Sequence, residues 1–394
     1  MKLSQRISSV NPSVTIAVTS KAAQMRAAGK DVINFGAGEP DFDTPDFIKQ
    51  AAKDALDAGD TKYTPRSSEA LHRAIADKLA AENDLAVGPD QVVATFGGKH
   101  ALYCAFQALL DAGDKVLIPA PYWVSYPEMV KLAGGEPVIL PTKQQQGFEV
   151  TPEQIAEAGR DAEILVLNSP CNPTGVTYAP QALAAIAEAV LETDLVVFSD
   201  EVYEKLVYRG ARFVSFASLD PRLPERTVTF NTLSKSYSMT GWRLGWAAGP
   251  SDVIGAVRTL MSQSTTKPVS FAEAGAVAAY ADPRGGEACE RMRAEFERRG
   301  TRMAERLNAI DGVECLAPTG AFYCFPDVSA HYGRTLGGVE VSDSVSFAAA
   351  ALEAAEVALV PGVAFGDDAH VRLSFATSMD HIEEGLDRLE KLLD

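Results

Sequence analysis

The segment QVVATFGGKHALYCAFQALL, residues 91–110, decides the fold. Its first six residues form a mostly apolar run suited to a buried strand, and from Lys99 onward apolar side chains recur at helical spacing. The same alternation continues to residue 249, with helical patterns at 126–133 and 180–192 and strand-like runs at 115–119, 162–168, 195–200, 227–231 and 244–249. Buried strands separated by helix-length segments indicate a mostly parallel sheet covered by helices, so we predict an α/β fold.

The sequence after residue 285 has a different pattern. EACERMRAEFERRGTRMAERLNAI (287–310) predicts a long charged amphipathic helix, and it is followed by strand-like runs at 321–326, 357–361 and 370–376. In the closing helix, Asp380 is predicted as the N-cap and Glu383 as the second member of a capping box. We predict a large domain at 46–285, a smaller α+β domain at 286–394, and an N-terminal arm at 1–45 that packs on the small domain and on a partner subunit.

Composition and charge exclude several classes of function. With 394 residues, of which 46% are hydrophobic and 23% charged, the chain resembles an ordinary globular protein, and no apolar run suggests a membrane span. The net charge of −17 argues against nucleic-acid binding, which requires a basic surface. The five cysteines form no C-x-x-C pair and the five histidines have no metal-binding spacing, so we predict neither disulfides nor a metal site. The N-terminus lacks a signal-peptide pattern, and the predicted location is the cytoplasm.

Polar, turn-forming residues follow five of the strand-like runs. These segments are FGGK (96–99), APYW (120–123), NSPCNPTG (168–175), SDEVYE (199–204) and NTLSK (231–235). Ligands of open α/β sheets bind beyond the carboxyl ends of the strands, so we expect the five segments to meet in one crevice. Gly97 and Gly98 open a predicted helix, whose N-terminal N–H groups can bind a phosphate, although a Gly-Gly pair also serves simple turns.

Lys235 is the candidate for covalent chemistry. It follows a strand among small hydroxylic residues, and Arg243 lies a short way downstream. A lysine is usually a solvated surface residue, but desolvation or nearby cations lower its pKa enough for the amine to act as a nucleophile. Asp200, at the end of an apolar run, either faces a cation or caps a helix, and Asn172 is either a ligand or a turn residue. Together with the aromatic ring of Trp123, these groups suit a phosphorylated heteroaromatic aldehyde.

Five motifs in a fixed order make a family resemblance specific. They are AGEPDFDTP (37–45), PYWVSYPEM (121–129), NSPCNPTG (168–175), SDEVYE (199–204) and SKSYSMTGWRLG (234–245). Over essentially its whole length the chain resembles the class I aminotransferases of pyridoxal-phosphate (PLP) fold type I, and most closely the bacterial aspartate aminotransferases. The resemblance implies a large PLP-binding domain with a mostly parallel sheet of the seven-stranded type, a smaller α+β domain, PLP as cofactor, and a homodimer with shared active sites.

The resemblance also implies roles for the residues that match the family motifs. Lys235 would carry PLP covalently and move the substrate proton, Asp200 would face the pyridine nitrogen, and Tyr203 and Asn172 would bind the ring oxygen. Trp123 would stack on the ring, and the remaining cofactor contacts would be Gly98, Lys99, Thr232, Ser234, Arg243 and, from the other subunit, Tyr63. The substrate α-carboxylate would bind Arg372, which outside the family would be taken for a surface arginine. Further substrate contacts would be Gly38, Asn172 and Trp123, with Lys99, Ser13 and Thr15 for a distal carboxylate.

The chain departs from the family motifs at three places. Thr232 stands where relatives usually carry Gly or Ser, the 63–75 segment, predicted as a loop at the active site, lacks a Gly and a Pro, and Asn11 stands where relatives that accept prephenate carry a lysine. The predicted reaction is ping-pong transfer of an amino group from an L-amino acid, first of all aspartate, to a 2-oxo acid, first of all 2-oxoglutarate. The alternatives are an aromatic or prephenate aminotransferase, a β-eliminating lyase of the same fold, and a non-catalytic PLP-sensing domain.

Overall fold

A computed structural model of the chain describes residues 2–63 and 65–394, except the side chains of residues 65–67. In chain order, the α-helices of the described residues are α1 (Gln5–Ser8), α2 (Val14–Ala27), α3 (Asp46–Asp57), α4 (Pro65–Glu82), α5 (Gly98–Leu109), α6 (Ser125–Ala133), α7 (Pro152–Ala158), α8 (Pro180–Leu191), α9 (Leu233–Ser236), α10 (Ser251–Ser264), α11 (Ser270–Ala281), α12 (Arg284–Leu307), α13 (Ser344–Ala354) and α14 (Met379–Leu393). The β-strands are β1 (Ile33–Asn34), β2 (Val92–Thr95), β3 (Lys115–Ala120), β4 (Glu136–Pro141), β5 (Ile164–Asn168), β6 (Val196–Asp200), β7 (Thr227–Thr232), β8 (Gly245–Ala248), β9 (Tyr323–Cys324), β10 (Thr335–Leu336), β11 (Val339–Glu340), β12 (Val357–Ala358), β13 (Val360–Pro361) and β14 (Val371–Ser374). Within the described residues, none of these helices combines the length and apolarity that a membrane crossing requires.

The central sheet contains seven strands of the described chain, in the order β2-β8-β7-β6-β5-β3-β4. Within it, β8 pairs antiparallel with both of its neighbours, and the other six strands share one direction. The sheet confirms the predicted α/β fold. Sequence reasoning missed β4, because its sequence EPVILP contains two prolines. As an edge strand, β4 can carry prolines, since one of its sides needs no ladder hydrogen bonds.

Helices cover both faces of the central sheet. Successive side chains of a strand point to opposite faces, so in β6 Phe198 packs with α5, α6 and α10, whereas Val197 packs with α7 and α8. At the β2–β8 edge, Trp246 belongs to a third cluster with α3, α4 and α11. These packed layers fix the strands, and therefore the positions of the segments that follow their carboxyl ends.

The C-terminal part of the chain forms another core around α12. Phe296 and Met303 of this helix pack against Leu373 of β14 and Leu386 of α14. A three-stranded antiparallel sheet in the order β13-β14-β9 lies in this region. Strand β1 pairs in parallel with β12, so a strand from the first 45 residues packs with the C-terminal elements.

The predicted N-cap of α14 was wrong. Ser378 caps this helix, since its hydroxyl accepts a hydrogen bond from the His381 backbone N–H at 3.2 Å, and Asp380 lies inside the first turn. Glu383 does not complete a capping box. It accepts a hydrogen bond of 2.5 Å from Arg302 and so joins α14 to α12.

The 63–75 segment, predicted as a loop, is mostly helical. Helix α4 begins at Pro65 and continues to Glu82, and Thr64 lies outside the described residues. Leu71 and Ile75 are buried in the cluster that also holds Trp246. Their spacing of four residues is that of one helix face, and this pattern could have predicted the helix.

Candidate active site

A cavity of about 260 Å³ lies at the carboxyl edge of the central sheet. All five segments that were predicted to meet contribute to it: its walls include Gly98, Lys99, Trp123, Asn172, Asp200, Tyr203, Thr232, Ser234 and Lys235. Because β8 runs antiparallel, the residues just before it lie at the same edge, and they bring Arg243 to the cavity. The two ends of the chain add Ser13, Thr15, Gly38 and Arg372.

Tyr63 is the one predicted site residue that the structure places outside this cavity. Its side chain is 84% exposed and lies in a separate groove with Lys62 and Lys267. The sequence resemblance assigns Tyr63 to the active site of the other subunit, and that contact stays a prediction.

Lys235 lies on the short helix α9, directly beyond the end of β7. Its Nζ donates a hydrogen bond of 2.5 Å to the carbonyl oxygen of Gly38. Burial and the nearby guanidinium groups of Arg372 and Arg243 lower the pKa of Lys235 to about 8, against the opposing effects of Glu39 and Asp200. About one-tenth of this amine is therefore neutral and nucleophilic at pH 7, far more than for an exposed lysine.

Asp200 ends β6 and is buried beneath the cavity. Its Oδ2 accepts a hydrogen bond of 2.5 Å from the Tyr126 hydroxyl, and its Oδ1 accepts a longer one of 3.4 Å from the Val202 backbone N–H. Burial raises the pKa of Asp200 to about 6, although the Tyr126 hydrogen bond favours the ionised form. Asp200 is thus a largely ionised carboxylate at pH 7, suited to face a positively charged ligand atom.

Sequence reasoning missed the contact between Tyr126 and Asp200. Tyr126 lies on α6 within the PYWVSYPEM motif, three residues after Trp123, and its ring makes an edge contact with the Trp123 ring at 5.4 Å between centroids. A spacing of three residues is that of neighbours on one side of a helical turn, and it is consistent with the contact between the two rings. No local signal identified Asp200 as the partner, because 74 residues separate it from Tyr126.

The N-terminus of α5 and the Arg243 guanidinium form an anion-binding cradle. Gly97 has a φ of +85°, and a Cβ atom on it would lie 2.7 Å from Arg243 Nη2. A Cβ on Gly245 would lie 2.4 Å from the Gly98 backbone nitrogen. The chain therefore needs glycine at these positions for the arginine and the helix N-terminus to approach each other. The N-terminus of a helix next to a planar guanidinium suits a phosphate.

Thr232 and Ser234 border this cradle and also shape the turn that carries Lys235. The Thr232 hydroxyl donates to the Leu244 carbonyl oxygen at 2.7 Å and accepts from the Ser234 backbone N–H at 3.2 Å. Ser234 Oγ lies 2.9 Å from the same hydroxyl. The Thr232 hydroxyl thus caps α9 and ties it to the segment before β8.

Arg372 is a buried cation, only 2% exposed, in β14. Its Nη1 donates to Asn172 Oδ1 and its Nη2 to the Gly36 carbonyl oxygen, both at 2.9 Å. Its buried Nε has no hydrogen-bond partner among the described residues. The guanidinium also lies 4.5 Å from the centroid of the Tyr323 ring. A buried guanidinium with a free donor suits an anionic group such as a carboxylate.

Three further predicted residues line the cavity. Ser13 caps α2 by accepting a hydrogen bond from the Ile16 backbone N–H at 3.4 Å, and Thr15 lies in the first turn of that helix. Lys99 Nζ lies 4.9 Å from the centroid of the Trp123 ring. Desolvation and the nearby Arg243 lower the pKa of Lys99.

The charge of the cavity is strongly asymmetric. Lys99, Lys235, Arg243 and Arg372 line it without forming an ion pair with any described residue, and Asp200 is the one acidic residue of the described lining. Arg372 is buried, Lys235 is half-buried, and Lys99 and Arg243 are exposed to solvent. The cavity is therefore built for ligands with several negative charges.

Comparison with known proteins identifies the family of a chain with this fold and this cavity. The family model for aminotransferase class I and II matches residues 30–389, which is most of the chain. The chain belongs to this family of aminotransferases. The aminotransferase is 48% identical to the aspartate aminotransferase of Geobacillus stearothermophilus, over 100% of this chain and 99% of the relative. It is 47% identical to the aspartate/prephenate aminotransferase of Cereibacter sphaeroides, over 98% of each chain.

A solved structure agrees with the sequence comparison. The aspartate aminotransferase from Thermus thermophilus with maleate matches this aminotransferase with a TM-score of 0.93 and 41% identity, over 100% of both chains. At this identity the likeness extends beyond the fold to the family, so the prediction of a class I aminotransferase from the five sequence motifs is confirmed.

Proposed function

We propose that this aminotransferase uses PLP to transfer the amino group of L-aspartate to 2-oxoglutarate, in two half-reactions at one site. The observation that carries the proposal is the cavity with four unpaired cationic side chains and one carboxylate. A phosphate and two dicarboxylic acids that bind in turn would supply the missing negative charge. The carboxylate would face a ligand atom of opposite charge.

The cavity residues fit PLP. Gly98, Lys99, Thr232, Ser234 and Arg243 line the cavity and would bind its phosphate, and glycine at 97 and 245 leaves space where a Cβ would collide with Arg243 or with the Gly98 backbone nitrogen. Asp200 is the group that would keep the pyridine nitrogen protonated, Tyr203 and Asn172 would bind the ring oxygen, and Trp123 would stack on the ring. When bound, PLP supplies an electron-withdrawing ring that stabilises negative charge at the substrate Cα.

The residues of the chain would perform the remaining steps. The Lys235 amine, with its pKa lowered to about 8, would hold the cofactor covalently and then move a proton to and from the substrate Cα. Arg372 would hold the α-carboxylate with its planar fork, next to Asn172 and the backbone of Gly38. These contacts orient the Cα–H bond toward Lys235.

The proposed preference for aspartate depends on a second anion site in the cavity. Lys99, Ser13 and Thr15 all line the cavity, and their side chains could bind a distal carboxylate. The relatives compared above are named for aspartate, and the Thermus thermophilus structure contains maleate, a dicarboxylate with the same number of carbons as aspartate. These names support the choice of a four-carbon dicarboxylic donor.

The quaternary and domain organisation belongs to the same proposal. We propose a homodimer in which Tyr63 of each subunit completes the phosphate site of the other, supported by the 84% exposure of its side chain. We also retain the large domain at 46–285, the small domain at 286–394, the arm at 1–45, and a cytoplasmic location as proposals.

Spectroscopy and kinetics with the purified holoenzyme test the function. We expect the absorbance of the bound cofactor to change when aspartate is added and to return when 2-oxoglutarate is added. A Lys235→Ala variant that kept this response would refute the role of Lys235. A donor panel scored by kcat/KM tests the substrate, and a higher value for phenylalanine than for aspartate would refute the aspartate assignment.

A further inference from the structure

A buried ion pair lies behind the cavity, outside its walls. The side chains of Lys78 on α4 and Glu204 after β6 are 4% and 7% exposed, and Lys78 Nζ forms a short hydrogen bond with Glu204 Oε1. Asn83 closes a triangle with them: it accepts from Lys78 Nζ at 2.6 Å and donates to Glu204 Oε2 at 2.8 Å. Burial opposes the ionisation of Glu204, but Lys78 and Lys205 together keep its pKa below the ordinary value.

This pair is not explained by stability alone. Removing two charges from water is costly, and a pair of apolar side chains often serves a core equally well. Glu204 belongs to the SDEVYE motif, whose Asp200 and Tyr203 line the cavity, yet Glu204 itself does not. A buried charge that the proposed reaction does not use directly needs another role.

A chain of hydrogen bonds leads from Glu204 to the helix that carries Lys235. Glu204 Oε1 accepts from Asn231 Nδ2 at 2.9 Å, and Asn231 Oδ1 accepts from the Thr232 backbone N–H at 2.7 Å. Thr232 then caps α9, on which Lys235 lies. Each link is a direct contact, so the ion pair and the catalytic lysine are connected without a gap.

The backbone of Asn231 also contacts the anion-binding cradle. A Cβ atom on Gly245 would lie 2.9 Å from the Asn231 carbonyl oxygen, and one on Gly98 would lie 3.7 Å from it. The peptide between Asn231 and Thr232 therefore packs against Gly245 and Gly98 beside the cradle. A shift of this peptide would move the phosphate donors and Lys235 together.

We propose that Glu204 and Asn231 are positioning residues, which fix the peptide that places Thr232, Ser234 and Lys235 around the cofactor. Lys78 and Asn83 hold Glu204 in place for this purpose. The inference rests on the proposed use of PLP. It predicts that breaking the chain at Asn231 weakens cofactor binding although no cavity-lining side chain changes.

Equilibrium binding of PLP to the apoprotein tests this inference. Asn231→Ala removes the link and leaves the ion pair intact, and Glu204→Gln removes the charge with little change of shape. Asn308→Ala is the matched control, since Asn308 Nδ2 donates to the carbonyl oxygens of Ala304 and Cys315, both at 2.9 Å, and Asn308 does not line the cavity. We expect the first two variants to bind PLP about tenfold more weakly or worse, the loss typical of a hydrogen bond to a charged group, and the control to stay within about twofold.

A second readout separates positioning from general destabilisation. The pH titration of the bound cofactor's absorbance reports the environment of Lys235, and we expect its midpoint to shift in Asn231→Ala and not in Asn308→Ala. The melting temperatures of the apoproteins are measured in parallel. The inference is overturned if Asn231→Ala binds PLP and titrates as the parent does, or if Asn308→Ala loses as much affinity. Asn231→Ala alone decides if Glu204→Gln does not fold. A parent protein that fails to bind PLP would instead reject the proposed function.

Discussion

Replacing Tyr126 by phenylalanine gives a quantitative test of the electrostatics at Asp200. The substitution removes one hydroxyl that donates to Asp200 Oδ2 at 2.5 Å and leaves the aromatic ring against Trp123. That hydrogen bond favours the ionised carboxylate, while burial raises its pKa to about 6. Without the hydroxyl the pKa of Asp200 rises further, so the carboxylate is protonated at higher pH.

The size of the effect follows from the strength of the lost hydrogen bond. A hydrogen bond to an ionised group contributes about 1.5–3 kcal/mol, which corresponds to a change of about ten- to hundredfold in the protonation equilibrium. With a pKa of about 6, Asp200 is roughly nine-tenths ionised at pH 7 in the parent protein. In the variant the ionised fraction at pH 7 falls to between about one-half and one-tenth. If only ionised Asp200 binds the protonated pyridine ring well, PLP affinity falls about twofold to tenfold at pH 7.

The assay measures the PLP affinity of the variant and of the parent apoprotein between about pH 5.5 and about 9 and takes their ratio. Lys235 ionises in both proteins, so the pH dependence that it causes cancels in the ratio. We expect the deficit to be largest below neutral pH and to shrink toward pH 9, where Asp200 is ionised in both proteins. Tyr280→Phe is the control, since it removes a buried hydroxyl that accepts from Trp246 Nε1 at 2.8 Å, away from the cavity. A deficit independent of pH, or one shared by Tyr280→Phe, would refute the reasoning.

Three further predictions test other parts of the site. Arg372→Lys should lower kcat/KM for aspartate about a hundredfold while PLP affinity stays unchanged, because lysine lacks the planar fork; unchanged kinetics would contradict the assignment. Gly97→Ala should weaken PLP binding about tenfold or more, because the new Cβ would lie 2.7 Å from Arg243 and the φ of Gly97 is +85°. Gly255→Ala is the control and should leave PLP binding unchanged, because a Cβ at this position has no atom within 4 Å. The rate at which the apoprotein reacts with PLP should rise with pH through about 8, because the neutral amine of Lys235 is the expected nucleophile. A rate that rises only near about pH 10, where exposed lysines titrate, would exclude the lowered pKa of Lys235.

Much of the fold and of the site could be predicted from the sequence, because both depend on local patterns. The strand-like runs and the segments after them placed Lys235, Asp200 and Asn172 at one edge of the sheet, and the structure brings all three to one cavity. The antiparallel direction of β8 was not predicted, since an apolar run carries no information about its direction. That direction is what brings Arg243 to the cavity.

The contacts that the sequence did not predict are those between distant segments. Tyr126 and Asp200 are 74 residues apart, Lys78 and Glu204 are 126 apart, and no period or motif links the members of either pair. Thr232 shows a second limit. Its hydroxyl was assigned to the phosphate from a motif, yet it also donates to the carbonyl of Leu244, and hydrogen-bond partners depend on backbone positions that propensities do not specify.

The charge balance of the cavity connects its stability with its proposed chemistry. Four cations line it and one carboxylate opposes them, so the ligand-free cavity carries an excess of about three positive charges. A PLP phosphate would bring about two negative charges, and a dicarboxylic amino acid would bring two carboxylates together with one ammonium group, while a protonated pyridine ring would balance Asp200. Each ligand would then bind to the folded state alone and stabilise it by mass action. The unpaired cations would therefore bind the phosphate and orient the substrate. The Asn231 contact would matter because it fixes the peptide that leads into Thr232, Ser234 and Lys235.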